Sequence, residues 1–351
     1  MTIETLSAPP GKGDQAYVLP CYSGELWTIP TSNSTMRMLV TGKETYNAFA
    51  LVGTGGTFDK PIGFHYHKEA HDVFLCLKGR INVWANDAAR SLYSGDFASV
   101  PPGTIHQYQI DAAHTEFIGL IIPGGWEEFF RFIGEPYQGP LFPTSDRRNP
   151  FEVLIPKLMA ATEKFDMIPV RDKAHFEPQP WDGSEKTLPG KCENGGYFLK
   201  EGAGEKYAVG STVVRPLCTR KETDGRFSIY ELQGSRLTGG TPAQAFQFAE
   251  THHAIFTVEG VLELTVDGST VKTTANETTF VPAGAKWSLG VESSWARAYI
   301  FANGGGVGEV FTTLGSRYEL PAVPQLQPGE SEAMDPARLK GLADELKFTV
   351  I

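Results

Sequence analysis

The sequence predicts an all-β protein built as two tandem β-barrels with a few short helices. Three observations carry that expectation. Short β-rich runs bounded by Gly and Pro fill both ends of the chain, they recur in the same order in each half, and helical periodicity is confined to three places. A chain of 351 residues is long enough for two such bodies.

In the first half the runs are Asp72–Leu77, Arg80–Trp84, Phe97–Val100 and Thr115–Ile122. In the second half they are His253–Val258, Val261–Val266 and Trp295–Phe301. Strands at this spacing suit a sandwich or barrel rather than βαβ units. The repeat is visible when Asp72-Val-Phe-Leu-Cys-Leu-Lys-Gly79 is laid on His253-Ala-Ile-Phe-Thr-Val-Glu-Gly260, and Ser99-Val-Pro-Pro-Gly103 on Phe280-Val-Pro-Ala-Gly284. Helical periodicity is found at 126–132, 150–164 and 336–346. Residues 138–195 are rich in Pro and charge and read as a connector. The expected division is therefore a first barrel over 1–137, a connector with a helix over 138–195, and a second barrel with a terminal helix over 196–351.

Lys and Arg number 31 against 41 Asp and Glu, a net charge of −10. Such a chain repels a phosphate backbone, so no nucleic acid partner is expected. No apolar run approaches the roughly 18 residues of a membrane span. The first ten residues lack a basic start and an apolar stretch, and the four cysteines form no Cys-x-x-Cys pair. Reduced thiols in a cytoplasmic protein are the expectation.

Chemistry concentrates in one place. Four of the eight histidines, His65, His67, His71 and His106, fall between positions 65 and 106. A strand carrying His65-Tyr-His67 turns both imidazoles to one face, because side chains alternate with period two. Asp72, Phe74 and Cys76 share a face of the next strand, and His106 follows the Pro101-Pro-Gly103 turn. Three imidazoles and a carboxylate from adjacent strands suit one divalent transition metal, with Cu, Fe, Ni, Mn and Zn all open.

These motifs resemble those of the cupins. His65-Tyr-His67-x4-Asp72-x6-Gly79 and Gly95-x5-Pro101-x-Gly103-x2-His106 follow the family's two patterns, with Asp72 where Glu is usual and Ile110 where the closing Asn is usual. More narrowly, Val40-Thr-Gly42, Leu51-Val-Gly-Thr54, Trp84-Ala85, Ser94-Gly-Asp96 and Ile122-Pro-Gly-Gly125 are similar to stretches of the fungal quercetin 2,3-dioxygenases, which are bicupins. The likeness is good over 15–137 and weaker over 196–312. It implies two cupin (jelly-roll) barrels, with His65, His67, His106 and Asp72 at a metal in the first. It also implies a substrate pocket walled by Met36, Val52, Thr54, Phe74, Tyr108, Phe117, Ile121 and Trp126. The second barrel carries Phe246, Phe248, His253 and Trp287 at the ligand positions, so no metal is expected there.

The activity implied is a metal-dependent dioxygenase. A flat phenolic or polyketide-derived molecule, such as a flavonoid or another product of secondary metabolism, binds as an enolate and loses a C–C bond to dioxygen, with the family's glutamate as ligand and base. Asp72 is one methylene shorter than that glutamate. It either ligates directly or acts as a base beside a three-histidine site, or Glu69 or His71 reaches in instead. Two other readings stay open: a non-oxidative metalloenzyme (isomerase, cyclase or decarboxylase) on a similar substrate, and a non-catalytic small-molecule-binding bicupin. A homodimer is the association that sheet faces and terminal helices of this kind suggest.

Overall fold

The β-rich runs fold as strands and collect into four sheets among the described residues. The structure, a computed structural model, describes residues 2–183, 185–192, 195–236, 244–320, 323–324 and 336–351. Contacts divide the chain into one unit of Gly24–Ala203 and another of residues up to Ser23 with Gly204–Ile351. The first unit therefore begins later and ends later than the 1–137 expected from the motifs.

In the Gly24–Ala203 unit an eight-stranded sheet faces a five-stranded one. The centre of the larger sheet runs Ser34–Val40, Ala50–Gly56, Thr115–Ile122, His71–Lys78, Phe97–Val100. The smaller sheet runs Ile168–Pro169, His65–Tyr66, His106–Ile110, Ile81–Ala85, Ala88–Leu92. Alternation along each strand sends Phe74, Cys76 and Phe117 of one sheet against Ile81, Val83 and Ile110 of the other, and this layer is the core.

The other unit repeats that order with Thr212–Cys218, Phe227–Gly234, Ala296–Asn303, His253–Glu259 and Thr278–Val281. Gly79 and Gly260 hold equivalent turns at φ +73° and +74°. In each turn a Cβ would strike a main-chain carbonyl, of His114 or of Trp295, so only glycine fits. A second duplicated turn escaped the sequence reading. Thr41 N–H donates to Glu44 at 2.8 Å and Thr219 N–H to Glu222 at 2.9 Å, while the Thr45 and Thr223 hydroxyls donate to the Phe49 and Phe227 carbonyls at 2.6 and 2.7 Å.

Two further features were not expected. Tyr197–Leu199, which leads into the second repeat, pairs with Phe97–Val100 of the first, whereas Tyr17–Leu19, which leads into the first, pairs with Thr278–Val281 of the second. The 138–195 stretch is also more than a connector. Its helices Pro150–Val153 and Ile155–Ala161 are followed by the edge strand Ile168–Pro169, just as the terminal helix Pro336–Leu346 is followed by Phe348–Val350. The expected helix at 150–164 is thus two short ones, parted where Leu154 leaves helical geometry; Pro156 has no N–H to carry the first helix's hydrogen bonds onward and sits instead in the first turn of the second. The helix expected near 126–132 is Glu128–Ile133. No helix among the described residues is long and apolar enough to cross a membrane.

Candidate metal centre

The regular strand at the His-x-His motif is only His65–Tyr66, with His67 just beyond its end. Both imidazoles nevertheless meet, because His106 opens the neighbouring strand directly opposite His65. Ring centroids lie 4.3 Å apart for His65 and His106, 5.1 Å for His67 and His106, and 5.2 Å for His65 and His67. One nitrogen of each lies within 4.8 Å of the others, a spacing on the scale of two metal–nitrogen bonds of about 2.1 Å each.

Main-chain carbonyls orient all three rings. Nδ1 of His65 faces the Gly63 carbonyl at 2.9 Å, Nδ1 of His106 faces the Thr104 carbonyl at 2.9 Å, and Nδ1 of His67 faces the Asp166 carbonyl. A carbonyl can only accept, so each Nδ1 carries a proton, which leaves Nε2 as the nitrogen able to turn a lone pair to a metal. His67 Nε2 is buried without a hydrogen-bond partner, though Asp72 Oδ2 lies 3.3 Å away. His106 has an acceptor at both nitrogens, because Asp72 Oδ2 stands 3.1 Å from its Nε2. A cation among the Nε2 atoms satisfies every one of these groups at once. The donor set therefore fits a divalent metal.

The local electrostatics favour a positive charge beside Asp72. Burial, reinforced by the charges of His106 and His67, pushes the His65 imidazole down to about 3, so it is neutral at ordinary pH. Burial also opposes the His67 imidazolium, but Asp72 beside it outweighs this and raises its pKa. Burial alone would raise the Asp72 carboxyl; His67 and His106 reverse that and hold it well below the usual carboxylate range.

Asp72 thus touches two of the three imidazoles from the first position of the inward face of its strand. The other candidates lie elsewhere. His71 points to the opposite face, where its Nε2 meets Ser99 Oγ at 2.8 Å, and Glu69 is exposed. The expected wall residues fall into two groups. Phe74, Tyr108 and Phe117 form an aromatic triad with centroids 5.4–6.0 Å apart. Met36, Val52 and Ile121 cluster with Trp126, whose ring stands edge-on to His67 at 4.9 Å. Ile121 sits opposite Asp72 in the ladder, and Thr54 is buried two residues along the strand from Val52. Asp166, which the sequence reading missed, joins the site from the 138–195 stretch.

At the equivalent place in the second unit the space is filled. Phe246, Phe248 and Trp287 belong to the core, and His253 lies between Phe248 and Trp287 with centroids 4.8 Å from each. Its Nε2 accepts from the Val307 amide at 3.2 Å, and burial pushes its pKa down to about 3.

Two barrels of the same strand order, one with a histidine centre and one without, give the chain a bicupin fold. Residues 55–118 match the cupin domain family. The chain is 33% identical over 148 residues to the quercetin 2,3-dioxygenase of Bacillus subtilis, a match that spans 42% of this chain and 43% of that protein. It is 24% identical over 318 residues to the quercetin 2,3-dioxygenase of Aspergillus japonicus, covering 82% of this chain and 89% of that one. Among solved structures, oxalate decarboxylase from Bacillus subtilis superposes with a TM-score of 0.51 at 14% identity, over 82% of this chain and 75% of that one. The protein Ylba from E. coli does so with a TM-score of 0.52 at 12% identity, over 84% and 92%.

Proposed function

We propose that this bicupin is a quercetinase-like dioxygenase that breaks a C–C bond or ring in a flat phenolic or polyketide-derived molecule held as its enolate. The observation that carries the reading is the convergence of three imidazoles, each with Nδ1 turned to a main-chain carbonyl, beside an ionised carboxylate, with an indole against one of them. The likeness to two quercetin 2,3-dioxygenases supports the same reaction class. When bound, a divalent Cu, Fe, Ni, Mn or Zn ion would supply a Lewis acid for the enolate oxygen and electronic coupling to dioxygen.

The chain's own residues do the rest. His65, His67 and His106 would hold the ion, each fixed in tautomer by its carbonyl. Asp72 is the carboxylate placed to accept the substrate hydroxyl proton; its lowered pKa makes it a weak base, which a metal that acidifies the bound hydroxyl would offset. We place the planar ring beside Phe74, Tyr108, Phe117 and Trp126, whose apolar rings would exclude water from it.

One observation favours a second reading. The nitrogen group that closes to within 4.8 Å comprises the three histidines, with Asp72 at its side rather than among them. A site of three neutral imidazoles keeps more positive charge than one with a carboxylate ligand, which suits non-oxidative isomerisation, cyclisation or decarboxylation of the same class of enol.

Oxygen uptake decides between the two. Protein loaded with each candidate metal and offered a panel of flavonols and other enolisable phenols should consume dioxygen in step with substrate loss. Equal turnover under argon would replace the dioxygenase by the non-oxidative enzyme. A folded protein that takes up no metal would overturn both, leaving a binding bicupin.

A further inference from the structure

We infer that Asp166 is a positioning residue of the histidine centre, its main-chain carbonyl setting the tautomer of His67 and its carboxylate clamping the turn that follows. The inference deepens the metalloenzyme reading, and its metal-binding arm rests on it.

His67 needs such help. It lies past the end of a two-residue strand, where the Gly103 N–H donates to its carbonyl at 2.6 Å but the amides that follow have left the ladder. The next three amides all turn to one carboxylate: Lys68 N–H donates to Asp166 Oδ1 at 2.8 Å, and Glu69 and Ala70 donate to Oδ2 at 2.7 and 3.3 Å. The carbonyl of the same residue takes the His67 Nδ1 proton and, at 3.3 Å, the indole N–H of Trp126. One residue therefore satisfies five donors. Three of them are main-chain groups that would otherwise need water, and one decides which nitrogen of a candidate ligand is free.

Asp166 is itself held from both sides. Phe165 packs on Phe129 and Phe132 with centroids 5.6 and 5.7 Å away. Beyond it Ile168–Pro169 pairs with Tyr66 and His65, and Val170 N–H donates to Phe64 at 2.8 Å. The second repeat supplies a contrast. In Phe348–Val350, Val350 pairs with Phe246 as Pro169 does with His65, which makes Lys347 the counterpart of Asp166. Lys347 points outward to Glu250 at 2.6 Å. Where the imidazoles are gone, the carboxylate is gone as well.

The test compares wild type, Asp166→Ala and Asp166→Asn, with Co2+ as probe because its visible spectrum reports ligand geometry. Folded Asp166→Ala should bind Co2+ about 10–100-fold more weakly, with an altered spectrum. Its Lys68, Glu69 and Ala70 amides should exchange faster in the metal-free protein. Both variants keep the main-chain carbonyl, so the comparison reads the carboxylate clamp; Asp166→Asn keeps one side-chain acceptor and should fall between, and it carries the comparison alone if the alanine variant does not fold. Wild-type affinity, spectrum and amide protection in a folded variant would overturn the inference. A wild type that binds no Co2+ would strike the metalloenzyme reading alone; amide exchange would then decide, faster exchange supporting the clamp and unchanged exchange refuting it.

Discussion

Asp72 is where this bicupin departs from the usual cupin pattern, and the departure is one methylene group, roughly 1.5 Å of reach. The carboxylate still lies 3.1 Å from His106 and 3.3 Å from His67, so it remains coupled to the centre. Asp72→Glu is expected to retain or tighten metal binding while changing turnover, as read by metal content, a competitive titration and kcat. A folded variant stripped of metal would show that the strand register has been misread. The histidines were legible in the sequence because their spacing is short and their chemistry distinctive. Asp166 was not, because it lies 99 positions from His67 and half of its contribution is a carbonyl that any residue possesses. His71 shows the converse: it looked available, and strand parity turned it to Ser99.

At the scale of single elements, the last strand of each repeat does different work. Ile168–Pro169 brings Asp166 to the imidazoles, whereas Phe348–Val350 brings Phe348 onto Phe248, stacked at 5.0 Å, and closes the second barrel. Phe348→Ala should cost about 3–5 kcal/mol in a urea titration while leaving metal content unchanged. His253 in the same barrel has a folded pKa of about 3 against 6.5 when unfolded. Between those values the unfolded chain binds the extra proton, so stability falls as pH falls below about 6.5. His253→Gln, which can still accept from Val307, should flatten the decline of melting temperature between pH 6.5 and 4; an unchanged slope would assign the acid sensitivity to other groups. The long strands could be read from their alternation. These terminal strands could not, since pairings of two or three residues leave no period to detect.

For the molecule as a whole, motif spacing placed the first barrel at 1–137, but the contacts that complete it extend to Ala203. A fragment of residues 24–203 should unfold cooperatively and take up Co2+, as followed by circular dichroism and visible absorption. A fragment of 1–137 should do neither, lacking Asp166 and the edge strand Tyr197–Leu199. Equal folding and binding by the shorter piece would contradict this account. The crossed pairing of the two leading strands has a historical reading too. A one-barrel ancestor wired this way would have left an edge of its own sheet bare and lent a strand to its neighbour, so it would have lived as a swapped pair. In a single covalent chain the two copies can differ, and here one keeps three imidazoles where the other has Phe246, Phe248 and Trp287.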